Sequence, residues 1–262
     1  MKKALIALAV AASAAISGSA MAWDPAGSGG TVEVGGTLIP IVKVNPWEVK
    51  VGDAVKDLDM KVEKGQKTVE LTVVRAIPFL GIRTKAPEPF NGQKGISPQI
   101  SYGDAINTSS FKSGVAPLTL EVKDSQGAKI GKAESSVIAA GMSSVTSKAL
   151  DSIHAINNLY ATKSGEGFFG GLGTSKDSVH PSPLDISERV FAGVTKHYTS
   201  QKITDPMRPM PEGFKISTFS YSAFYASGIP VASKIKITLD KGASADAPVQ
   251  WKASLPITVS YM

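Results

Sequence analysis

The pattern that constrains this chain most is a strict alternation of side chains over residues 251–261. The apolar positions are Trp251, Ala253, Leu255, Ile257, Val259 and Tyr261, and the positions between them are Lys252, Ser254, Pro256, Thr258 and Ser260. A period of two over this length predicts a β-strand with one buried face. Because an apolar strand with a free edge promotes aggregation, we expect it to lie within a sheet. The partner on its outer edge is then the functional question.

Residues 1–22 have the three parts of a secretory signal peptide. Two lysines follow the first residue, residues 4–16 are apolar, and residues 20–22 form an Ala-Met-Ala cleavage site. The apolar part is too short to cross a membrane as a helix. We expect the exported chain to begin at Trp23. Removal of 22 of the 262 residues leaves 240, which is enough for a hydrophobic core.

Composition and motifs argue against several classes of function. The chain has no cysteine, so neither a disulfide nor a thiolate metal site can form. The formal net charge of +6 comes from scattered lysines without an arginine cluster, so we expect no nucleic-acid partner. The glycine-rich run 165–173 lacks the Lys-Ser/Thr pair of a phosphate loop and is interpreted as a flexible loop. The three histidines have no ligand spacing and no nucleophile elbow is present, so we expect no enzyme and no cofactor.

A second alternating stretch follows the predicted cleavage site. Residues 23–30 are rich in glycine and indicate a flexible leader. One face of the strand predicted at 31–40 carries Val32, Val34, Gly36 and Leu38. Two adjacent glycines weaken this stretch as an ordinary core strand. We therefore expect it to pair outside its own domain.

Most of the remaining chain predicts short strands. Alternating apolar residues lie at 69–73, 118–122, 219–225 and 231–239. The sequence Asp-Ser-Gln-Gly at 124–127 predicts a hairpin turn after the second of these stretches. Strands of this length and spacing are typical of a β-sandwich or barrel.

The middle of the chain has a different pattern. Residues 147–161 have apolar side chains at nearly helical spacing. Ser182 followed by Pro183 is typical of the start of a second helix. We interpret residues 142–211 as a partly helical insertion carried on the β scaffold.

Three of these features together resemble the subunits of chaperone–usher fimbriae. They are the signal peptide, the alternating stretch behind a loose leader, and the alternating strand that ends with Tyr261. The details are similar to the K-eighty-eight (F-four) type of fimbrial subunit. The resemblance rests on Trp23 and on the sequences Val-Glu-Val-Gly-Gly at 32–36, Pro-Gln-Ile at 98–100 and Gln-Trp at 250–251.

This resemblance implies an incomplete immunoglobulin-like β-sandwich, residues 41–262, that is completed by a donor strand from a neighbouring subunit. Residues 23–40 would be the donor extension, with Val32, Val34, Gly36 and Leu38 as the inserted side chains. The acceptor groove would be lined by Trp251, Leu255, Ile257, Val259 and Tyr261. The implied partners are a periplasmic chaperone, an outer-membrane usher and neighbouring subunits. The implied destination is a fimbria on the bacterial surface.

The resemblance also implies that such a subunit can bind host glycans through its inserted segment. Glycan sites commonly offer an aromatic ring for stacking against a sugar. The candidate receptor contacts are therefore Tyr160, Phe168, Phe169 and Tyr198.

Other interpretations of the sequence remain open at this stage. An outer-membrane β-barrel also has alternating strands and often ends with an aromatic strand, and an extracellular enzyme is a third class. The two alternating stretches could also be ordinary strands of one closed domain. Within the fimbrial interpretation, the sequence fits a major subunit, a minor subunit or an adhesin.

Overall fold

The computed structural model describes residues 34–37, 44–149, 153–243 and 248–262. The predicted signal peptide, Val32 and Leu38 lie outside the described residues. The chain divides into two units, Met1–Ile41 and Val42–Met262. In the first unit, residues 34–37 are exposed and have no regular secondary structure. The strands and helices described below belong to the second unit.

The second unit is mainly β. Its first seven strands are β1 (Trp47–Val51), β2 (Thr68–Thr72), β3 (Ile77–Thr84), β4 (Phe90–Asn91), β5 (Pro98–Ser101), β6 (Val115–Asp124) and β7 (Lys129–Ser147). The following strands are β8 (His154–Leu159), β9 (Arg208–Met210), β10 (Phe219–Ile229), β11 (Lys234–Leu239), β12 (Trp251–Ala253) and β13 (Thr258–Tyr261). The helix α1 (Pro183–Val190) lies between β8 and β9, and short 3-10 helices occur at Thr108–Ser110 and Lys176–Ser178.

Strand β7 organises the sheet because its 19 residues pair with four other strands. Its first half pairs with β6 on one edge and β11 on the other, and β12 and β2 extend this layer. Its second half pairs with β10 and β8. That layer continues through β3 to β1 and, on the other side, to β9. The fold is a β-sandwich whose two layers share one long strand. Strands β5 and β13 form a separate two-stranded sheet.

The predicted strands in the two flanking parts of the chain are confirmed. The alternating stretches at 69–73, 118–122, 219–225 and 231–239 correspond to β2, β6, β10 and β11. The predicted hairpin turn joins β6 to β7. In this turn the Asp124 side chain accepts hydrogen bonds from the backbone N–H groups of Gln126 and Ala128, both at 2.9 Å. Gly127 has φ +87°, a conformation that glycine adopts without steric cost.

The main core lies between the layers and contains a cluster of aromatic rings. The Trp47 ring centroid lies 5.0 Å from that of Phe90, 5.1 Å from Phe214 and 5.6 Å from Phe168. The indole N–H of Trp47 donates to the carbonyl of Ile96 at 2.6 Å, which satisfies its buried donor. A second, smaller core lies under α1, where Val190, Phe191 and Val194 pack against Ile138, Phe224 and Ala226.

Of the two helices predicted in the middle of the chain, one is confirmed and the other is wrong. Helix α1 begins at Pro183, as Ser182 and Pro183 indicate. In place of the helix predicted at 147–161, β7 continues to Ser147 and β8 follows. Strand β8 is covered on both faces, so five of its six residues are buried and the period of two is hidden. The predicted start of an insertion at 142 falls inside β7.

The alternating stretch 251–261 forms two short strands instead of one. Residues 254–257 between β12 and β13 have no assigned strand pairing. Pro256 lacks a backbone N–H, so it cannot donate to a ladder. The alternation of burial nevertheless continues through this break.

Candidate functional site

The site is built on residues 251–261, which we call the half-covered strand. Its odd-numbered side chains pack against the main core, and its even-numbered side chains are exposed. All six of these inward-facing side chains are only partly buried. By contrast, the inward-facing Ile235 and Ile237 of β11 are 6% and 2% exposed. The hydrophobic core is therefore open along the half-covered strand.

One edge of the half-covered strand is hydrogen bonded, and the other is free within the described residues. Strand β12 pairs with β6, and β13 pairs with β5. Met262 and Ser97 exchange two backbone hydrogen bonds, of 3.0 and 2.9 Å. Such pairs recur at every second residue of an antiparallel ladder, so Val259 and Tyr261 direct their N–H and C=O groups to the opposite edge. No described strand pairs with that edge.

A second unpaired stretch, residues 53–62, packs against the same core. It makes no backbone–backbone hydrogen bond within the described residues. Its Leu58 and Met60 side chains are partly buried against the main core. In the preceding strand β1, Val49 and Val51 share the face of buried Trp47 but are 39% and 53% exposed. The apolar interior is thus uncovered along this stretch as well.

These features together suit the binding of an extended polypeptide. A free strand edge offers backbone donors and acceptors, and a half-covered apolar face offers pockets for alternate side chains. Covering the remaining exposed part of a valine or leucine side chain contributes roughly 1 kcal/mol. In the described part of the chain there is no group of histidine and acidic side chains that could hold a metal ion.

The partner strand β5 is held in place from behind by the glycine-rich run 165–173. The Phe168 N–H donates to the Pro98 carbonyl at 2.7 Å, and the Ile100 N–H donates to the Phe169 carbonyl at 2.8 Å. A Cβ atom on Gly170 would lie 2.0 Å from the Ile100 carbonyl oxygen. The run is a loop, as predicted, and these contacts hold it against β5. Its glycines allow the backbone to pass directly against β5.

A buried network of hydroxyl groups fixes the end of β5. The Tyr102 hydroxyl, just beyond β5, lies 2.8 Å from the Tyr225 hydroxyl and 2.5 Å from Ser227 Oγ. The Tyr225 hydroxyl also donates to the Gly171 carbonyl at 3.1 Å. Burial raises the pKa of Tyr102 to about 12, although its two hydrogen bonds lower the pKa in part. The network is therefore neutral at physiological pH and connects β5 with β10 and the glycine-rich run.

The structure separates the four candidate receptor contacts. Phe168 is 0% exposed and packs against Trp47 and Tyr225, so its ring is inaccessible in the folded protein. The Tyr198 ring packs edge-on against Phe224 at 5.2 Å in the second core. Phe169 and Tyr160 are partly exposed. The aromatic pair 168–169 therefore consists of one core residue and one surface residue.

Two of the four candidate donor side chains can be placed. Val34 is 93% exposed and Gly36 is also exposed, while Val32 and Leu38 lie outside the described residues. An isolated valine with this exposure gains nothing from the hydrophobic effect within its own unit.

The described helices include none that is long and apolar enough to cross a membrane.

The sequence predicted the half-covered strand but not residues 53–62, the second stretch that packs against the open core. The half-covered strand was recognisable from its period of two. Residues 53–62 are rich in charged residues, and Leu58 and Met60 are separated by a single aspartate. Val62 continues the alternation after Lys61, but three apolar positions are too few to predict a strand, although they were the signal available.

Comparison with known proteins relates this chain to fimbrial subunits. The family model described as "Fimbrial, major and minor subunit" matches residues 1–262. The chain is 28% identical to "K88 fimbrial protein AC" and 29% identical to "K88 fimbrial protein AD", both of Escherichia coli, over the full length of each protein. It is 26% identical to the Escherichia coli "K88 minor fimbrial subunit FaeI", with 83% of each chain covered.

Proposed function

Because this chain belongs to the family of fimbrial major and minor subunits, we propose that it is a structural subunit of a surface fimbria that polymerises by donor-strand exchange. In this proposal the N-terminal extension of one subunit fills the open core of the next. The protein acts by assembly and not by catalysis.

The observation that supports this proposal best is the half-covered strand. Six apolar side chains pack on the core without being buried, and the backbone edge beside them lacks a partner in the described residues. A soluble protein normally protects such an edge. An inserted strand would supply the missing hydrogen bonds and the missing apolar cover at once.

The inserted side chains would be Val32, Val34, Gly36 and Leu38. They alternate along an extension that precedes the folded domain, and Val34 is exposed. The glycine at position 36 would suit a shallow part of the groove, where a side chain has no room. The groove would lie between the half-covered strand and residues 53–62.

The second unit supports one orientation for the inserted strand. Trp47, at the start of β1, bonds to Ile96, and the adjacent Ser97 pairs with Met262. Strand β1 therefore begins at the end of the second unit where the half-covered strand finishes. In a head-to-tail polymer we expect the donor to enter the next subunit from the opposite end. The donor would then run antiparallel to the half-covered strand.

Assembly in this way requires export and protection of the open core. We expect the signal peptide to be removed before Trp23 and the subunit to pass through the periplasm. A periplasmic chaperone would cover the groove there, and an outer-membrane usher would direct the exchange for the next subunit. Intact Met1 on the exported protein would contradict the predicted processing, which N-terminal mass analysis can decide.

A role in host-glycan binding remains part of the proposal in a narrower form. Tyr160 and Phe169 are the two candidate rings that are both partly exposed and outside the ring clusters. Their replacement by alanine should reduce adhesion to host glycans while fimbriae still form. Adhesion equal to that of the parent fimbriae would remove both residues from the proposal.

A synthetic peptide of residues 31–40 provides a direct test of strand insertion. Added to the purified full chain, it should raise the melting temperature, because a ligand that binds only the folded state stabilises it. Hydrogen exchange should slow at 53–62 and 251–261 together. Two variant peptides are compared. Val34→Asp changes the inserted face and is the test, and Thr37→Asp changes the outward face and is the matched control.

The proposal predicts that the Thr37→Asp peptide binds and the Val34→Asp peptide does not. Equal binding of both peptides would contradict insertion by alternate side chains. Protection confined to surface loops would contradict the assigned groove.

A further inference from the structure

Three lysines lie side by side on three neighbouring strands, on the outer face of the sandwich. Lys252 of β12 pairs in register with Lys123 of β6, and Lys123 pairs with Lys129 of β7. Neighbouring strands are about 4.8 Å apart, so the three side chains form a short row of positive charge, which we call the lysine row. It lies on the side of the half-covered strand that faces away from the core.

The rest of this face has the opposite arrangement. Lys236 is in register with Glu70 on one side and Glu134 on the other. Lys132 lies 2.7 Å from Glu134, and Lys234 lies 3.2 Å from Glu70. Opposite charges placed across strands in this way stabilise a sheet slightly, whereas like charges destabilise it. The lysine row therefore departs from the pattern that stability alone favours.

Only one carboxylate in the described residues forms ion pairs with the lysine row. Glu121 lies 3.3 Å from the Lys129 ammonium and 3.7 Å from that of Lys123. Both of these lysines and Glu121 are about half exposed, so the pairs are weak. The described residues provide no ion pair for Lys252. The row thus retains unneutralised positive charge at the surface.

The lysine row borders a surface cleft of about 570 Å³. Lys123 and Lys252 form part of its lining, together with Thr119 and Ser254, which carry hydroxyl groups, and Asp104 and Glu121, which carry carboxylates. Lysine ammonium groups bind anionic groups, while hydroxyl and carboxylate oxygens accept hydrogen bonds from sugar hydroxyls.

From this juxtaposition we propose that the lysine row and its cleft bind a sulfated polysaccharide. Sulfate groups would contact Lys123, Lys129 and Lys252, and the sugar would occupy the cleft. This surface is separate from the proposed groove, because Lys252 points outward between two inward-facing residues of β12. Repetition of the site along a polymer would raise the avidity for a long polysaccharide chain.

Heparin is the probe for the test, with the purified full chain as the protein. The row variant is Lys123→Gln, Lys129→Gln and Lys252→Gln. The matched control is Lys132→Gln, Lys234→Gln and Lys236→Gln, which removes the same charge from the same face. All six are surface lysines in the strands described above, and circular dichroism and melting temperature check that both variants fold.

The proposal predicts that the row variant loses roughly tenfold or more in heparin affinity at low salt, and that the salt dependence of binding becomes shallower. The control variant should stay within about threefold of the parent, because its lysines already have acidic partners. Desulfated heparin should bind weakly to all three proteins.

Three results would overturn the proposal. The first is equal loss of affinity in both variants, which would indicate attraction by net charge. The second is parent protein that binds desulfated heparin as well as heparin, or binds neither. The third is that duplex DNA binds the parent as tightly as heparin does and that the row variant loses affinity for both equally, which would indicate a general polyanion surface.

Discussion

Val259 is the position where the proposed assembly mechanism can be tested most sharply. Its side chain is partly buried against the core and stands in register with Ile100 of β5, which is 5% exposed. The next residue, Ser260, points to solvent. The substitutions Val259→Asp and Ser260→Asp therefore add the same carboxylate to the same strand, on opposite faces.

The expected difference follows from the burial of the two positions. In the free subunit the aspartate at 259 keeps contact with water, so the domain should fold with a modest loss of stability. Once a donor strand covers the groove, an unpaired carboxylate there costs several kcal/mol. A difference of about 3 kcal/mol corresponds to a loss of roughly 150-fold in affinity for the inserted strand. The aspartate at 260 stays in water in both states and should change this affinity little.

The measurement combines a binding assay with an assembly assay. The affinity of the purified chain for the peptide of residues 31–40 gives the free-energy difference directly. Fimbriae sheared from cells, compared on gels with periplasmic extracts, show whether subunits enter polymers. Val259→Asp subunits should form no polymers and should be depleted from the periplasm, because the chaperone would cover the same groove, while Ser260→Asp subunits should assemble. Normal polymers from the Val259→Asp chain, or equal defects in both variants, would refute the assignment of this strand to the groove.

Three further predictions concern the donor strand, the support of β5 and the buried hydroxyl network. Val34→Asp in the intact chain should block entry into the next subunit's groove while Thr37→Asp does not, and gels of sheared fimbriae can compare the two. Gly170→Ala should lower the free energy of unfolding, measured by chemical denaturation, by at least twice as much as Gly165→Ala. Both glycines have positive φ, and left-handed strain alone costs about 1–2 kcal/mol. Only at Gly170 would the added Cβ lie 2.0 Å from a backbone oxygen. Because the pKa of Tyr102 in the folded protein is raised to about 12, its contribution to stability is present below pH 10 and should be lost between about pH 10 and 12, by roughly 2–3 kcal/mol; a Tyr102→Phe chain that shows the same alkaline loss would contradict this origin.

Most of the strands that sequence could predict have one covered face. Strands β2, β6 and β11 each have a face directed to the core and a face directed to water, so the period of two is visible in their residues. Strand β10 is buried on both faces, but its larger apolar side chains still alternate with Ser220 and Ser222 at its start. The same reasoning identified the half-covered strand. The amino-acid types could not show that its inward side chains are only partly covered, because that depends on which strands are absent beside it.

The parts that sequence could not predict are strand β8 and the segments that pack through the backbone. Strand β8 has buried residues on both faces, and its spacing imitated a helix. Phe168 and Phe169 are adjacent and chemically alike, but one lies in the aromatic core and the other at the surface. The glycine-rich run appeared flexible because glycine is common both in loops and where backbones approach closely. Composition does not distinguish these two uses.

The length of β7 has a mechanical consequence for a protein that stands in a polymer. At about 3.3 Å per residue, the 19 residues of β7 form one long continuous backbone segment that belongs to both layers of the sandwich. Tension that enters one layer therefore reaches the other along the main chain, without depending on side-chain packing between them. A donor strand lying antiparallel to the half-covered strand would be pulled along its own axis. All of its hydrogen bonds would then resist in shear at the same time, and a fibre joined in this way would resist stretching far better than peeling.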